Sequence, residues 1–562
     1  EAFTVHGLYL YDAWRPDFFT FFLDDLVALA CVVRGALRRE QPSEVYVAED
    51  AATRFWWTGR ERFADVARAL AGEAGPPVRV EPGPTLRGLR DGLLRLATLG
   101  SSAAWSARAC ARGVARRVQG RRVTMPASGE RPRVLITLFG ASELDIVEDL
   151  CGELEEAGCG GLQIVDLGFE QTGRLARQRG WAAADVGGHM TPRSFVRGLC
   201  APLLAWSRWG RVARDADWQS SFSACGAALW PAAAPRAWAA AIAEMTRAIV
   251  HGSAAHELLA RADPDVIVSF KRGASAPAGF VLAARRCGVP TVYIQHGLLS
   301  ETFRTQPSLP HARFLVFSEH ARDQIAASGV SRDAIEVVGH AGYDGLVRGE
   351  TVLGEAERGR SVADGEGHVL LLLTQPDEGL RGLPGGQWIE HAFAAAAQID
   401  DCRLVVKLHP RDTRASAYAA LAARTGADAR IVSHAEAKLP ELWPLCDAVV
   451  IGYSTAAFEA IIHGKPVVSI NLMGEEDCYP FAASGAALAA RRASEVLPAL
   501  RSALTDEPTR RRLAQQREEF LRRHVGPLDG QAAKRMAAII VDMARRRIGE
   551  KSGATLRPFD AY

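Results

Sequence analysis

The chain has 562 residues, of which 48% are apolar and 23% charged, a composition typical of a globular protein with more than one core. Its 67 basic and 65 acidic residues nearly cancel, and no basic, aromatic-studded sheet motif is visible, so a nucleic-acid partner is not expected. The ten cysteines show neither a C-x-x-C pair nor ligand-like Cys/His spacing, so neither a zinc site nor a disulfide framework is indicated.

The apolar runs and the cysteines together predict the cellular location of the protein. No apolar run is long enough to span a bilayer, and residues 1–14 lack the basic segment and apolar core of a signal peptide. Scattered cysteines fit the reduced cytoplasm. We expect a cytoplasmic protein, with the inner face of the cytoplasmic membrane as a second location that stays open.

Residues 1–130 are the least regular part of the chain. Strand-like segments alternate there with helix-like stretches, the strands at 3–12, 43–50 and 77–82 and the helices at 18–39 and 53–71. This alternation predicts an N-terminal α/β extension, either a flavodoxin-like addition to the first domain or a small separate unit.

An arginine-rich stretch follows at 86–123. It carries nine arginines against one acid, Asp91, and these are interleaved with leucines and Trp105. A basic amphipathic segment of this kind either lies on an anionic bilayer or forms a solvated helix face packed on its domain. Because charge runs are usually solvated, we favour the second interpretation.

Residues 191–260 are predicted to form a helical insertion rich in tryptophan. Five tryptophans occur there, at positions 206, 209, 218, 230 and 238. They form either the core of the insertion or a surface that faces an acceptor or a membrane. We favour the core.

From residue 131 onward, short apolar strands alternate with helical stretches, which is typical of parallel sheets with crossover helices. The Gly- and charge-rich residues 349–367 interrupt this alternation and indicate a linker. We therefore predict an α/β protein of the GT-B type, with two Rossmann-like doubly wound domains facing a central cleft. These domains are expected at 131–348 and 368–545, followed by a tail at 546–562.

The most informative segment runs from 446 to 472. Its apolar strand stops at Gly452, where the backbone can turn sharply, and Ser454 and Thr455 occupy the N-cap region of the next helix. Free N–H groups and two hydroxyls at a helix N-terminus would bind a phosphate. Glu459, one turn further, would accept both hydroxyls of a ribose. The alternative is a plain helix cap followed by a solvated glutamate.

A second apolar strand ends at His409, at the edge where open α/β sheets bind ligands. Pro410 keeps His409 extended, so its imidazolium would contact a phosphate or protonate a leaving group. The alternative is a capping or core histidine. Thr374 and Gln375 follow the first strand of the second domain and are predicted to face the phosphate or nucleotide, with Asp377 near the cleft.

The first domain has its own candidates at strand ends. Glu143, with Asp145, follows an apolar strand and would orient or deprotonate an acceptor; alternatively, both acids only satisfy a helix dipole. Lys271 and Arg272 follow another strand and would bind a donor carboxylate or an acceptor phosphate. Their alternative role is a surface turn.

Four motifs together carry a family resemblance. They are YIQHG at 293–297, VVGHAGYDGL at 337–346, the dipeptide His409-Pro410 and the dipeptide Ser454-Thr455. Over roughly residues 265–471, the chain resembles GT-B glycosyltransferases of bacterial surface-polysaccharide synthesis. Among these it looks most like the branches that use CMP- or CDP-activated donors, namely sialyltransferases, Kdo transferases and CDP-glycerol polymerases.

The resemblance implies roles for the matching residues. His409 would contact the donor phosphate, and Glu459 would hold the nucleotide ribose. Ser454 and Thr455 would contact the phosphate or the cytidine, and His296 of the QHG loop is a candidate catalytic base. Enzymes of this type need no divalent metal and no cofactor besides the nucleotide-sugar substrate, so we predict a metal-independent enzyme.

One literal motif match carries less weight. Asp377-Glu378-Gly379 spells the acidic motif whose carboxylate is the base in bacterial sialyltransferases. In those enzymes the motif belongs to the first domain, whereas here it follows the first strand of the second. We therefore rank Asp377 below Glu143 and His296 as the catalytic base.

These observations predict a glycosyltransferase that moves a sugar, such as Kdo or another nonulosonate, from its CMP ester to a bacterial surface glycan or glycolipid. A CDP-polyol phosphotransferase, a UDP-sugar transferase and a UDP-sugar 2-epimerase of the same fold remain alternatives. A non-enzymatic glycan-binding module of capsule assembly is the rival from another class. The discriminating question is whether His409 and Ser454 converge on one pocket with a base facing the cleft.

Overall fold

The computed structural model describes most of the chain between residues 87 and 553, together with four short strands nearer the start. The described ranges are 87–119, 123, 125–126, 130–140, 143–167, 170–181, 183–216, 219, 223–224, 227–228, 230–271, 275–297, 299, 309–349, 367–375, 387–409, 412–433, 435–452, 454–472, 477 and 479–553. The early strands pair two by two, Thr4–Val5 with Leu8–Tyr9 and Val45–Val47 with Val78–Val80. Apart from these strands, residues 1–86 of the predicted N-terminal extension lie outside the described residues, as does most of the predicted linker.

The first domain is built on a seven-stranded sheet in which every neighbouring pair is parallel. Its strands are β1 (Arg133–Leu138), β2 (Gly161–Asp166), β3 (Ala183–Asp185), β4 (Val266–Ser269), β5 (Thr291–Ile294), β6 (Arg313–Val316) and β7 (Ile335–Val337). Their order across the sheet is β7-β6-β5-β4-β1-β2-β3. The central strands are buried along their whole length, which explains why their sequences are continuous apolar runs.

The second domain repeats this architecture with six parallel strands. They are β8 (His368–Leu373), β9 (Cys402–Lys407), β10 (Ala429–Val432), β11 (Ala448–Ile451), β12 (Val467–Ile470) and β13 (Leu488–Ala490). Their order is β10-β9-β8-β11-β12-β13. The prediction of two doubly wound α/β domains of the GT-B type is confirmed.

Helices cover both faces of each sheet. Those described up to residue 347 are α1 (Arg87–Val118), α2 (Leu144–Glu156), α3 (Glu170–Gln178), α4 (Pro192–Leu199), α5 (Ala201–Val212), α6 (Trp230–Ala262), α7 (Ser275–Arg286), α8 (Glu319–Ala327) and α9 (Asp344–Val347). Those that follow are α10 (Gln387–Ala396), α11 (Ala415–Thr425), α12 (Leu439–Leu442), α13 (Ala456–Ile462), α14 (Ala493–Thr505), α15 (Glu507–His524) and α16 (Ala532–Gly553).

The tryptophan-rich segment is a helical layer on one face of the first sheet. Helices α4 to α7 share one apolar core with that face, and α1 packs against α4, α5 and α6. Trp209 and Trp238 are buried in this core, as the favoured interpretation expects, whereas Trp206 is exposed and Trp218 lies outside the described residues. The arginine-rich helix α1 likewise packs on its domain, because its Ser106 and Cys110 are fully buried.

The other face of the first sheet is covered by α2 and by α16, the helix that follows the second domain in the chain. Ala532, Met536 and Ile540 of α16 are buried in one core with the sheet. This packing places α16 with the first domain, although the sequence groups residues up to 545 with the second. The second domain, residues 368–524, is therefore inserted into the first.

Carboxylates of the first domain bind α16 at both ends. The buried carboxylate of Asp344 accepts the N–H groups of Ala532 at 3.1 Å and of Ala533 at 2.8 Å, where the first turn of the helix has no partners of its own. Near the other end, the Lys551 ammonium lies 2.9 Å from carboxylate oxygens of both Asp263 and Asp265.

The return of the chain to the first domain requires glycine at one position. Gly526 has φ +89, and a Cβ there would lie 1.9 Å from the carbonyl oxygen of Phe317, at the end of β6. Close to this crossing, the His320 ring of α8 lies 4.5 Å from the His524 ring of α15. The two domains therefore touch where the chain passes between them.

We expect Asp344→Ala to lower the free energy of unfolding by about 2 kcal/mol or more, because two helix N–H groups lose a charged, buried acceptor. Asp529→Ala is the matched control, since Asp529 lies just before α16 but is 46% exposed. Its loss should cost less than about 1 kcal/mol. Urea denaturation followed by tryptophan fluorescence measures both variants. Equal destabilisation by the two substitutions would contradict the role given to Asp344.

Candidate functional site

Each sheet has a point where its strand order reverses. In the first domain it lies between β1 and β4, and in the second between β8 and β11. Loops that follow the strands at such a point diverge and leave a crevice at the carboxyl edge of the sheet, which is where open α/β sheets bind ligands. Most of the predicted site residues follow these strands or their neighbours.

In the first domain, three predicted residues meet at this crevice. The Lys271 ammonium lies 3.3 Å from Glu143 Oε1 and 3.0 Å from His296 Nε2. Glu143 Oε2 also accepts the backbone N–H of Phe139 at 2.6 Å. Because an ammonium only donates, His296 Nε2 is the acceptor of its bond with Lys271. We call Glu143, Lys271 and His296 the first-domain cluster.

Burial sets the protonation of the first-domain cluster. The Glu143 side chain is fully buried, which raises the pKa of its carboxyl group, and the positive charge of Lys271 opposes that rise. Burial lowers the pKa of His296 to about 3, and Lys271 adds to the shift. His296 is therefore neutral near pH 7.

Two further histidines complete this region, and neither is among the predicted site residues. His311 Nε2 donates to the Lys271 carbonyl at 3.3 Å, and its Nδ1 accepts from the Thr291 hydroxyl at 3.1 Å. His340, in the loop after β7, lies near enough to His296 to lower its pKa further. His340 follows a strand as His409 does, so the same signal would have found it.

Tyr343 connects the first-domain cluster to the second domain. Its ring stacks on that of His340 with centroids 4.1 Å apart, and its side chain is buried in the apolar core of the second domain. Burial raises the pKa of Tyr343 well above its ordinary value, and the nearby charge of Glu459 raises it further. Tyr343 therefore lies between His340, which follows the last strand of the first domain, and the charge of Glu459 in the second domain.

In the second domain, the loops after β8, β9 and β11 adjoin one another. The His409 backbone N–H donates to the Thr374 hydroxyl at 3.0 Å. At Gly452, an added Cβ would lie 3.0 Å from Gln375 Oε1 and 2.9 Å from the Trp388 ring. The absence of a side chain at Gly452 is therefore what lets these loops approach. His409 and the segment that leads into Ser454 thus flank the same Thr374–Gln375 loop.

The loop after β9 is held by a buried acid that the sequence analysis did not identify. Asp412 accepts from the Arg414 guanidinium at 2.9 Å and from the Tyr418 hydroxyl at 2.7 Å. Burial alone would raise the pKa of Asp412, but these bonds lower it to about 2. Arg414 also donates to the Gln375 carbonyl at 2.7 Å, which ties this loop to the one after β8.

The two hydroxyl residues at the start of α13, Ser454 and Thr455, make different contacts. Thr455 occupies the N-cap position with helical dihedrals, φ −61 and ψ −30, and its side chain makes no capping bond. Ser454 Oγ accepts the N–H of Ala456 at 3.2 Å, so the plain capping interaction does occur. Glu459 lies in the first turn of α13 with a half-buried side chain, rather than on a solvated face.

Three predicted site residues, Arg272, Asp377 and Pro410, lie outside the described residues. Asp145 belongs to α2, but its side chain is not described. Within the described ranges, no group of three or more His, Cys, Asp or Glu side chains is placed to hold a metal ion. In the same ranges, every helix is too short or too polar to cross a bilayer.

The family model for UDP-N-acetylglucosamine 2-epimerase matches residues 239–541, more than half of the chain. The chain belongs to this family. No curated protein matches it.

Three solved structures illustrate what the fold is similar to. The Neisseria meningitidis UDP-GlcNAc 2-epimerase bound to UDP-GlcNAc has 13% identity and a TM-score of 0.48, covering 73% of this chain and 100% of its own. The Methanocaldococcus jannaschii enzyme in complex with UDP-GlcNAc and UDP has 14% identity and a TM-score of 0.46, covering 72% and 99%. Anabaena Alr3699/HepE in complex with UDP-glucose has 12% identity and a TM-score of 0.40, covering 75% and 99%.

The family match changes the interpretation drawn from the motifs. The GT-B type of architecture stands, but the matching family is not that of the CMP-sugar transferases. It supports the 2-epimerase alternative better than transfer from a CMP donor, and gives no support to Kdo or to a role in capsule or lipopolysaccharide synthesis.

Because of its buried histidines, we expect the free energy of unfolding of the protein to fall in mild acid. Burial lowers the pKa of His251 and His311 to about 4 and of His296 and His340 to about 3, from an ordinary value of 6.5. Below pH 6.5 the unfolded chain binds protons that the folded chain does not, so stability falls as the pH falls. Each histidine contributes up to about 1.4 kcal/mol per pH unit.

Urea midpoints measured between pH 7.5 and pH 5 check this expectation. His251→Gln should reduce the slope of stability against pH, whatever its effect at pH 7.5. The same substitution at the exposed His391 serves as control and should leave the slope unchanged. A midpoint that does not vary across this range would contradict the burial of neutral histidines.

Proposed function

We propose that the chain is an enzyme that binds a UDP-sugar between its two domains and inverts the configuration at carbon 2 of the sugar. The observation that carries this proposal is the family match over residues 239–541. That range includes Lys271, His296 and all the described second-domain loops of the site. Glu143 lies before it in sequence but meets Lys271 in space.

The second domain would hold the nucleotide. The diphosphate lies along the loops after β8, β9 and β11, near His409 and Ser454, where these loops adjoin one another. The bond from the His409 N–H to Thr374 fixes the turn that carries the imidazole. Glu459 would accept the ribose hydroxyls, and it is near enough to Tyr343 of the first domain for its charge to raise the pKa of that tyrosine.

The first-domain cluster would act on the sugar. Inversion at carbon 2 of a UDP-sugar requires a proton to leave one face, with its electron pair expelling UDP from carbon 1, and a proton to arrive at the opposite face as UDP adds back to carbon 1. Glu143 suits this task because burial raises its pKa while Lys271 stabilises the charged form. His296 Nε2 already accepts from Lys271, so we assign His296 to positioning the lysine and rank Glu143 first as the base.

Transfer of the sugar to an acceptor is a second candidate function. Among the described groups that the structure records in contact with Lys271, Glu143 is the sole carboxylate. One carboxylate suffices to deprotonate an acceptor hydroxyl, whereas inversion needs a second proton-transfer group. If the reaction is inversion, Asp377, outside the described residues, is the residue that the sequence offers as the second proton-transfer group. If the reaction is transfer, a glycan or glycolipid is the acceptor.

Proton exchange with solvent distinguishes the two reactions. We expect the chain to incorporate deuterium at carbon 2 of UDP-N-acetylglucosamine in D2O and to form its 2-epimer, in the presence of EDTA because no metal is predicted. Glu143→Gln should lower the exchange rate by about 10²- to 10⁴-fold, the usual contribution of a general base. Glu148→Gln, on the exposed face of α2, the helix that follows Glu143, should leave the rate unchanged.

NMR of the recovered nucleotide sugar measures this exchange. If the recovered substrate carries no deuterium and sugar is transferred to an added glycan acceptor, the reaction is transfer to an acceptor and not epimerisation.

The nucleotide itself is tested by thermal unfolding with UDP, CDP and CMP. We expect UDP to stabilise the chain most, because the matching family acts on a UDP-sugar. A ligand at 100 times its Kd adds about 2.7 kcal/mol to the free energy of unfolding. Glu459→Gln should reduce the shift by removing a ribose acceptor, and the exposed Glu518→Gln should not. Stronger stabilisation by CMP would return the donor class to the CMP-sugars.

A further inference from the structure

A stripe of exposed apolar side chains lies on α4 and α5. The two helices are almost continuous, because Cys200 between them has helical dihedrals, φ −81 and ψ −4. Gly198, Ala201 and Trp209 face the core. On the opposite side the stripe consists of Val196 (59% exposed), Leu199 (42%), Leu203 (60%) and Trp206 (52%).

The spacing of these four residues makes the stripe continuous. They lie at positions i, i+3, i+7 and i+10, which an ideal helix places within about 80° of one another. They are also four of the eight large apolar side chains that are exposed in the described part of the chain. Single exposed apolar residues are common in folded proteins, but a contiguous stripe indicates an interaction surface.

The two helices that carry the stripe have charged residues of one sign only. Residues 192–212 contain four arginines, at positions 193, 197, 208 and 211, and no aspartate or glutamate. On the ideal helix these arginines lie along one border of the stripe, between it and the buried face. Helix α1, which packs against α4 and α5, adds the exposed Arg108 and Arg112 and has no acid between residues 92 and 118.

We propose that this face docks on an anionic bilayer, with Leu203 and Trp206 in the headgroup region and the arginines at the lipid phosphates. An interfacial amphipathic helix combines these features: apolar and aromatic residues on one side and cations beside them. Tryptophan is favoured at the membrane interface because its ring is apolar and its N–H is polar. The proposal does not depend on which reaction the cleft performs.

A second copy of the chain fits this face less well than a membrane. A symmetric dimer through the stripe would bring the arginines of one copy close to those of the other, with no acid within 192–212 to offset their repulsion. Anionic lipids supply the missing negative charge along the whole face. Charge complementarity therefore selects the membrane as the occupant.

Co-sedimentation of the full chain with vesicles tests the proposal. We expect binding to vesicles that contain phosphatidylglycerol, little binding to pure phosphatidylcholine, and release by high salt. Leu203→Ser combined with Trp206→Ser should weaken binding by about tenfold or more, since both side chains leave the bilayer. Arg193→Glu combined with Arg211→Glu should weaken it comparably without removing apolar surface.

Val347→Ser is the matched control, because Val347 is an exposed apolar residue outside these helices, and it should leave binding unchanged. Thermal unfolding and the UDP-induced shift of each variant show that the domains are intact, so failure of this proposal is distinct from failure of the proposed function. Three results overturn the proposal: no binding to anionic vesicles, equal binding to both lipid compositions, or a dimer in solution that the Leu203 and Trp206 changes dissociate.

Discussion

The hydrogen bonds from the first turn of α16 to the Asp344 carboxylate are the interaction that returns the chain to the first domain after the inserted second domain. By accepting the N–H groups of Ala532 and Ala533, this carboxylate fixes the segment after β7 and the returning helix to each other. Arg535 strengthens the junction by donating to the Val338 carbonyl at 2.9 Å. The same short segment carries His340 and Tyr343, whose rings stack 4.1 Å apart, and Tyr343 enters the apolar core of the second domain.

Much of the fold could be predicted because the strands are buried on both faces. A fully buried parallel strand has to be a short apolar run, and β1, β8 and β11 are such runs in the sequence. The candidate site followed from the same pattern, since Glu143, Lys271 and His409 each come directly after a strand. The sheet then brings together residues that are far apart in the chain, as it does for Glu143 and Lys271.

The remaining features depend on contacts that no local pattern encodes. The apolar face of α16 predicted a helix, but nothing in its sequence specifies the first domain as its partner. Asp344 and Ala532 are 188 residues apart, and Asp344 resembles any acid at the start of a helix until the two are seen together. The motifs are shared across GT-B enzymes and do not distinguish a CMP-sugar from a UDP-sugar, whereas the family match favours the UDP-sugar alternative.

The insertion of the second domain has a consequence for biosynthesis. The ribosome makes the residues up to 349 before the whole second domain, and only afterwards α16, whose side chains complete one face of the first sheet. Until then, apolar strands such as β4 and β5 lack their cover on that face, while the second domain already has all its own elements. The nascent first domain therefore exposes apolar surface until α16 is made, and such transiently exposed surface is what makes folding intermediates prone to aggregation.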